Sequence, residues 1–278
     1  SIISSNAQKY FHFVRAIFFF IRFHLEIMEE PTHTISVEEF LAFLENEARL
    51  RVDDFIKGAV EVAQEVHSGV KREDGHSSFL DTHTWPVAAD VVRHYRSVNR
   101  NITSVEVGSA ILHDILEDND RILDLYKTKS YGFEAYLDYR FGNRIYSIAT
   151  ELKIPPLDNY LGKSINERLL ARFRQYCNML VTSEYDMKTI KLADRINNMV
   201  FIKDRAKLNK NNIYEKIKRY LREAEDFYLS YTILEPAMPD YYEKMRLAYE
   251  QMRSAYYEQT QTMPQSQSSS AAEATNMN

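Results

Sequence analysis

The sequence predicts an all-α fold, and two observations support that prediction. The chain has only seven glycines and seven prolines in 278 residues, too few for the many tight turns of a sheet-rich protein. Apolar residues recur instead at the three- and four-residue spacing of amphipathic helices. Because 45% of the residues are hydrophobic, the chain can bury a sizeable core.

Residues 1–35 are interpreted as an N-terminal extension. Its aromatic stretch superficially resembles a signal sequence, but Arg15 and Arg22 leave only the apolar run 16–21 unbroken. That run is far shorter than the roughly 20 residues that span a bilayer, so we expect no membrane span. We expect residues 1–27 either to lie outside the native protein, with translation beginning at Met28, or to form an additional docking helix.

From Ser36 onward the pattern indicates serial helices, and we assign residues 36–257 to one helical domain. Two capping boxes, Ser36-x-x-Glu39 and Thr103-x-x-Glu106, predict helix starts. The Gln/Ser-rich tail at 258–278 is predicted to be disordered. Further helices are predicted at 52–66, 87–95, 125–139, 141–151, 167–180, 187–202 and within 213–257.

Charge and cysteine content limit the possible partners. The net charge is -5 and there is no extended basic run, so the sequence does not favour an extended nucleic-acid surface. A small substrate is therefore expected. The lone Cys177 excludes an intrachain disulfide and a thiolate-rich zinc site, and it suits a reducing cytosol. We accordingly expect a cytoplasmic protein.

Four residues that can bind a divalent metal stand in an informative order. His83 lies in a predicted loop at 69–84, His113 and Asp114 begin the segment His-Asp-Ile-Leu-Glu-Asp, and Asp194 lies within Lys-Leu-Ala-Asp-Arg-Ile-Asn-Asn. Mixed imidazole and carboxylate ligands suit Mn, Fe or Zn, and a bound metal can generate hydroxide at neutral pH. The sequence therefore indicates a metal-dependent hydrolase.

The helix that the second capping box opens is predicted to continue through His113 and Asp114. Glu117 and Asp118 then lie one turn beyond these two residues on one polar face, where they can assist proton transfer. The pattern alone leaves two alternatives open. The acids can form an ordinary solvated helix face, and Asp194 can be an exposed residue in a surface ion pair.

At these residues the chain resembles the HD-domain hydrolases of the RelA/SpoT homologue family, which remove the 3'-pyrophosphate from the alarmone (p)ppGpp. Segment 112–119, Leu-His-Asp-Ile-Leu-Glu-Asp-Asn, is similar to the family's Leu-His-Asp-x-x-Glu-Asp-Thr. Segment 191–199, Lys-Leu-Ala-Asp-Arg-Ile-Asn-Asn-Met, is similar to its Lys-Leu-Ala-Asp-Arg-x-x-Asn-Met. Weaker matches run in the family's order from roughly residue 52 to residue 205.

The resemblance implies a compact HD-domain bundle of about ten helices and a small, stand-alone hydrolase. It implies one divalent metal, Mn in most members, with Fe and Zn as alternatives. The substrate would be a small nucleotide that carries a 3'-pyrophosphate or phosphate. The implied site residues are His83, His113, Asp114 and Asp194 as metal ligands, Glu117 and Asp118 as catalytic acids, and Arg72, Asn198 and Lys153 as nucleotide contacts.

The chain departs from the family's pattern near the implied nucleotide site. Glu73 follows Arg72 where the family commonly has lysine, the loop from Gly75 to His83 is longer than usual, and Val-Phe-Ile at 200–202 replaces Arg-Thr-Leu. These departures concern base and alarmone recognition more than metal binding. A broader HD phosphohydrolase, a nucleotide sensor without turnover and a helical interaction protein therefore stay open as alternatives.

Three further histidines are not among the four expected metal ligands. His76, in the long loop, is the fallback metal ligand if His83 is misaligned. His67 is interpreted as a structural histidine at a helix end. His94 is interpreted as a surface residue.

Overall fold

The computed structural model describes residues 34–117, 132–153, 155–205, 211–234 and 238–262. Within these ranges the secondary structure is helical apart from one isolated antiparallel bridge, between Lys71 and Ser78, which confirms the all-α prediction. Among the described helices, none is long and apolar enough to cross a membrane.

The α-helices follow one another along the chain with short connections. They are α1 (Val37–Ala42), α2 (Asp54–His67), α3 (Trp85–Ser97), α4 (Ser104–Ile111), α5 (Gly132–Phe141), α6 (Asn143–Leu152), α7 (Ile165–Thr182), α8 (Tyr185–Asp204), α9 (Asn211–Glu223), α10 (Leu229–Leu234) and α11 (Pro239–Thr262). Single π-helical turns extend α1, precede α3 and join α9 to α10; these are Phe43–Glu47, Leu80–Thr84 and Ala224–Tyr228. The helix number agrees with the bundle of about ten helices that the resemblance implies.

Both predicted capping boxes are confirmed. The Ser36 hydroxyl accepts from the Glu39 N–H at 3.2 Å, and the Glu39 carboxylate accepts from the Ser36 N–H at 2.8 Å. Thr103 and Glu106 make the same reciprocal pair at the start of α4. These side chains satisfy amide groups that have no partner in the first helical turn, so they fix where each helix begins.

The core lies where α8 packs between α3 and α11, with α2 and α4 beside them. Trp85, at the start of α3, is 1% exposed and stacks on Phe40 with ring centroids 5.7 Å apart. Gly108 allows α4 to approach its neighbours closely. A Cβ atom at this position would meet Phe55 at 2.9 Å and Ile145 at 3.1 Å.

The prediction of one continuous helix through His113 and Asp114 is wrong. Helix α4 ends at Ile111, and residues 112–117 form turns in which Glu117 N–H donates to the Asp114 carbonyl at 3.0 Å. The His113 side chain explains the break, because its Nδ1 occupies the Ala110 carbonyl at 2.8 Å. In a continuing helix that carbonyl would accept from the backbone N–H of residue 114.

The interpretation of His94 as a surface residue is also wrong. The ring is fully buried between α3, α8 and α11, stacked 4.4 Å from the Tyr241 ring. Its Nδ1 lies 2.7 Å from the Asp240 carboxylate and its Nε2 lies 2.6 Å from the Tyr185 hydroxyl. A neutral imidazole satisfies both contacts by donating to Asp240 and accepting from Tyr185.

Two boundary predictions need comment. Helix α11 continues to Thr262, beyond the predicted start of the tail at residue 258. At the other end, Ile35 is buried and its N–H donates to the Asp81 carbonyl at 2.9 Å, so it belongs to the folded domain. Residues 1–33 and 263–278 lie outside the described part of the chain.

Replacing Trp85 with alanine tests the core. The Trp85→Ala change removes a buried indole and leaves a cavity, so we expect it to lower the free energy of unfolding by about 3–5 kcal/mol. Tyr139→Ala is the control, because Tyr139 is 92% exposed; its effect should stay within about 0.5 kcal/mol. Urea denaturation measures both, and equal effects would contradict the described packing.

Candidate metal centre and its cavity

The four predicted metal ligands come together in the folded chain. His83 comes from the π-helical turn before α3, His113 and Asp114 from the turns after α4, and Asp194 from α8. One ligand atom from each of the four lies within 4.8 Å of the other three. A cation roughly 2.0–2.2 Å from each ligand would separate opposite ligands by about 4.4 Å, so this spacing fits a bound metal.

Burial decides one of the alternatives that the sequence left open. Asp194 is 7% exposed and His83 and His113 are each 1% exposed, so Asp194 is not part of a surface ion pair. Glu117 is exposed, so the solvated-face alternative for the acids that follow Asp114 stays open. Part of the prediction for His83 needs correction. This residue lies in the helical turn Leu80–Thr84, because Thr82 and its neighbours already follow helical hydrogen bonding there.

The hydrogen bonds of the two imidazoles direct one nitrogen of each toward the centre. His83 Nδ1 lies 2.8 Å from Asn197 Oδ1, and the Asn197 amide nitrogen donates to the Thr82 carbonyl at 3.2 Å, which fixes the amide orientation. His113 Nδ1 donates to the Ala110 carbonyl. Both rings therefore direct Nε2 toward the centre, and in the neutral form of each ring this nitrogen is unprotonated, as in metal-binding histidines whose other nitrogen donates to an oxygen.

The His113 Nε2 atom has an unsatisfied environment. It is buried and has no hydrogen-bond partner, although it lies 3.1 Å from Asp114 Oδ2. The same carboxylate oxygen lies 2.9 Å from His83 Nε2. Buried polar atoms are normally paired, so an unpaired nitrogen facing a carboxylate indicates a place for an absent positive ion.

Nearby charges keep both carboxylates ionised. Burial opposes ionisation, but the adjacent charge of His113 and the hydrogen bond from His83 outweigh burial and hold the pKa of Asp114 well below its usual value. In the same way the Lys191 ammonium, 3.0 Å from Asp194 Oδ2, outweighs burial and lowers the pKa of Asp194. Two carboxylates and two imidazoles form a ligand set that suits a borderline divalent metal.

The two histidines respond differently to this environment. Burial lowers the pKa of His83. Burial also disfavours the charged form of His113, but the adjacent Asp114 charge outweighs it and raises the pKa of His113. Because a metal requires neutral imidazoles, metal binding would displace a proton from this pair.

The centre opens into a cavity of about 790 Å³, a volume that suits a small organic ligand. Glu117 and Lys153 line this cavity as the resemblance implies, with Lys153 Nζ lying 3.9 Å from Glu134. Asp118 lies outside the described residues. The cavity wall also includes the carboxylates of Glu73, Glu151 and Glu223 and several apolar side chains. Its other cationic and aromatic side chains include Lys71, Arg172, Lys216, Arg219, Tyr160, Phe173, Tyr176 and Tyr220.

The sequence did not predict that α9 forms part of the cavity wall. Lys216, Arg219 and Tyr220 belong to a strongly amphipathic helix, and no motif distinguishes them from an ordinary surface. Within α9, the one sequence feature that could have indicated a role in ligand binding is the basic and aromatic run at 216–220. These residues reach the cavity because α9 packs on α8, which carries Asp194.

Glu73, the departure next to Arg72, is neutralised within the protein. Its carboxylate forms an ion pair with Lys216 and lies 3.4 Å from Arg72 Nε. Burial alone would raise the pKa of Glu73, but Lys216 outweighs it and lowers this pKa to about 2. The negative charge therefore has two cationic partners and does not act as an isolated repelling group.

The other candidate ligand is not part of the centre. His76 has a side chain that is 75% exposed, and it contacts Asp74. His67 ends α2 and is buried with its ring 4.9 Å from Phe79, as expected for a structural histidine. The nucleotide-binding roles of Arg72, Asn198 and Lys153 stay predictions.

Comparison with known proteins adds no family assignment. A scan against protein-family models found no matching model, and a search of curated proteins found no match. The resemblance to HD-domain hydrolases therefore depends on the sequence motifs.

Metal binding can be measured directly. We expect the full-length protein to bind one Mn²⁺ per chain in isothermal titration calorimetry, and Asp194→Asn to weaken this binding at least tenfold by removing a ligand charge. Asp54→Asn is the matched control, because the Asp54 side chain is fully exposed. Equal affinity in all three proteins would contradict this site.

Acid sensitivity tests the environment of Glu73. Because its folded pKa of about 2 lies below the usual 4.5, its contribution to stability is present above pH 4.5 and is lost as the pH falls toward 2. Glu73→Gln should therefore flatten the decline in unfolding free energy over that interval. Urea denaturation at several pH values measures this, and parallel pH profiles would refute it.

Proposed function

We propose that the protein is a metal-dependent phosphohydrolase that removes the 3'-pyrophosphate of (p)ppGpp or of a related nucleotide. The observation that carries the proposal is the cluster of His83, His113, Asp114 and Asp194, because three of these residues border a cavity whose wall also carries lysine and arginine side chains. The two motifs that supply three of these residues resemble those of the alarmone hydrolases. We propose Mn²⁺ as the metal, with Fe and Zn as alternatives.

The roles of the protein groups follow from their positions. A bound divalent cation would lower the pKa of a water molecule and screen the charge of the attacked phosphate. Asp114 and Asp194 contribute ionised oxygens, and His83 and His113 contribute neutral nitrogens. Glu117 is an exposed carboxylate on the same cavity, where it can orient the water or accept its proton. Asp118 is proposed to share this role.

The cavity favours a small anionic ligand over an extended nucleic acid. Lys71, Arg172 and Arg219 provide positive charge for phosphate groups. Tyr160 and Tyr220 provide aromatic surface for a nucleobase. The chain as a whole has a net charge of -5. The positive charge at the cavity is therefore local and does not reflect the overall composition.

A broader HD phosphohydrolase is the second candidate, and the surroundings of Arg72 favour it. The Arg72 guanidinium lies over the Phe201 ring, 4.0 Å from its centroid, so this arginine is not free to stack on a guanine base. If Arg72 does not stack on the base, base recognition in this protein differs from the family's pattern. A nucleotide sensor without turnover requires the same cavity and the same metal.

One assay separates these functions. The purified protein with Mn²⁺ should release pyrophosphate from (p)ppGpp, lose this activity with chelator, and lose at least 100-fold with Asp114→Asn because a ligand is removed. Asp54→Asn serves as the control. Phosphate and pyrophosphate release are measured also with nucleoside triphosphates, 3'-phosphorylated nucleotides and a generic phosphodiester.

The pattern of substrates decides the outcome. Hydrolysis of the generic diester alone would favour the broader phosphohydrolase. Binding of (p)ppGpp without turnover would favour the sensor. Absence of both binding and turnover in the metal-loaded protein would refute the proposal.

A further inference from the structure

Arg72 is a buried cation whose guanidinium nitrogens are all engaged within the protein. Its Nη2 donates to Asn198 Oδ1 at 2.8 Å, its Nη1 faces Asn197 Oδ1 at 3.5 Å, and its Nε faces Glu73 at 3.4 Å. Phe201 covers the plane of the group, and only 3% of the side chain is exposed. Arg72 lines the cavity, but these contacts and its burial leave little of the guanidinium open to a nucleotide.

The contact with Asn198 leads to a metal ligand. Because a guanidinium can only donate, Asn198 must turn its oxygen toward Arg72. Its amide nitrogen is then free to donate to Asp194 Oδ1, and it does so at 2.6 Å. Arg72 thereby fixes the orientation of the amide that holds the Asp194 carboxylate.

The contact with Asn197 leads to a second metal ligand. The Asn197 oxygen that faces Arg72 also accepts from His83 Nδ1 at 2.8 Å. That hydrogen bond directs the unprotonated Nε2 of His83 toward the metal centre. Arg72 is therefore connected to both His83 and Asp194 through one intervening asparagine each. The two candidate ligands come from distant parts of the chain.

The loop that carries Arg72 is itself held in place. The Arg72 N–H donates to the Ser77 carbonyl at 3.0 Å, and the Asp74 carboxylate accepts from the Ser77 N–H at 2.9 Å. Arg205 binds Asp74 at 3.2 Å and lies 3.8 Å from the centroid of the Phe201 ring. The guanidinium of Arg72 is thus fixed before any ligand arrives.

We propose that Arg72 is a positioning residue for the metal, acting through Asn197 and Asn198, and that it is not a nucleotide contact. This inference rests on the proposed metal site but not on the identity of the substrate. Residues that orient metal ligands through hydrogen bonds change metal affinity by about 10- to 100-fold when they are replaced. Glu73 and Phe201, which depart from the family's pattern, are the residues that hold Arg72 in this role.

Mn²⁺ affinity in the absence of substrate tests the proposal. Isothermal titration calorimetry on the metal-free full-length protein should show affinity about 10- to 100-fold weaker for Arg72→Ala. Arg72→Lys should also be weaker, because one ammonium does not reproduce the forked contacts to two asparagines. Arg100→Ala is the matched control, since Arg100 lies 3.7 Å from the centroid of the Tyr185 ring and has no contact with the asparagines. Its affinity should stay within about twofold of the wild type.

The outcomes separate this inference from the proposed reaction. Wild-type Mn²⁺ affinity in both Arg72 variants, with a raised KM for nucleotide, would assign Arg72 to the substrate and overturn the proposal. If Arg72→Ala does not fold, Arg72→Lys still decides, because it keeps the charge and most of the volume. A wild-type protein that binds no Mn²⁺ would refute the metal site and this inference together. Normal Mn²⁺ binding without nucleotide turnover would refute only the reaction.

Discussion

Burial of two ionised carboxylates next to each other is the constraint on which the rest of the structure depends. Asp114 and Asp194 lie at the centre of a helical bundle, where an uncompensated charge is strongly unfavourable. Lys191 and the two imidazoles offset this charge and keep the pKa of Asp194 below its usual value, although the neighbouring Asp114 carboxylate repels it and opposes that lowering. A divalent cation between them would remove that repulsion.

A second buried polar cluster shows what a purely structural network looks like in the same protein. His94 has partners for both ring nitrogens, and Asp240 faces both His94 and Lys244. Lys244 in turn pairs with Asp90, so each of these polar groups has a partner within the protein. At the metal centre, by contrast, His113 Nε2 lacks a hydrogen-bond partner. This difference favours a binding function for one cluster and a packing function for the other.

The departures from the family's pattern form one connected group in space. Glu73 lies between Arg72 and Lys216, and Phe201 lies beneath both Arg72 and Arg205. A change at any one of them alters the surroundings of the same guanidinium. They are therefore best understood together, as one local rearrangement beside an unchanged set of metal ligands.

The sequence by itself determined the helical class and the capping boxes, and its motifs indicated the candidate metal ligands. Each depends on residues that are close together in the chain, such as Thr103 with Glu106 or the pair His113-Asp114. Only the tertiary structure decided that α4 ends before His113, that His94 is buried, and that α9 lines the cavity. The burial of His94 and the position of α9 depend on partners far away in sequence, and helical periodicity does not report which polar side chain meets another helix. The end of α4 depends on a local contact of the His113 side chain with the Ala110 carbonyl, which periodicity does not report either.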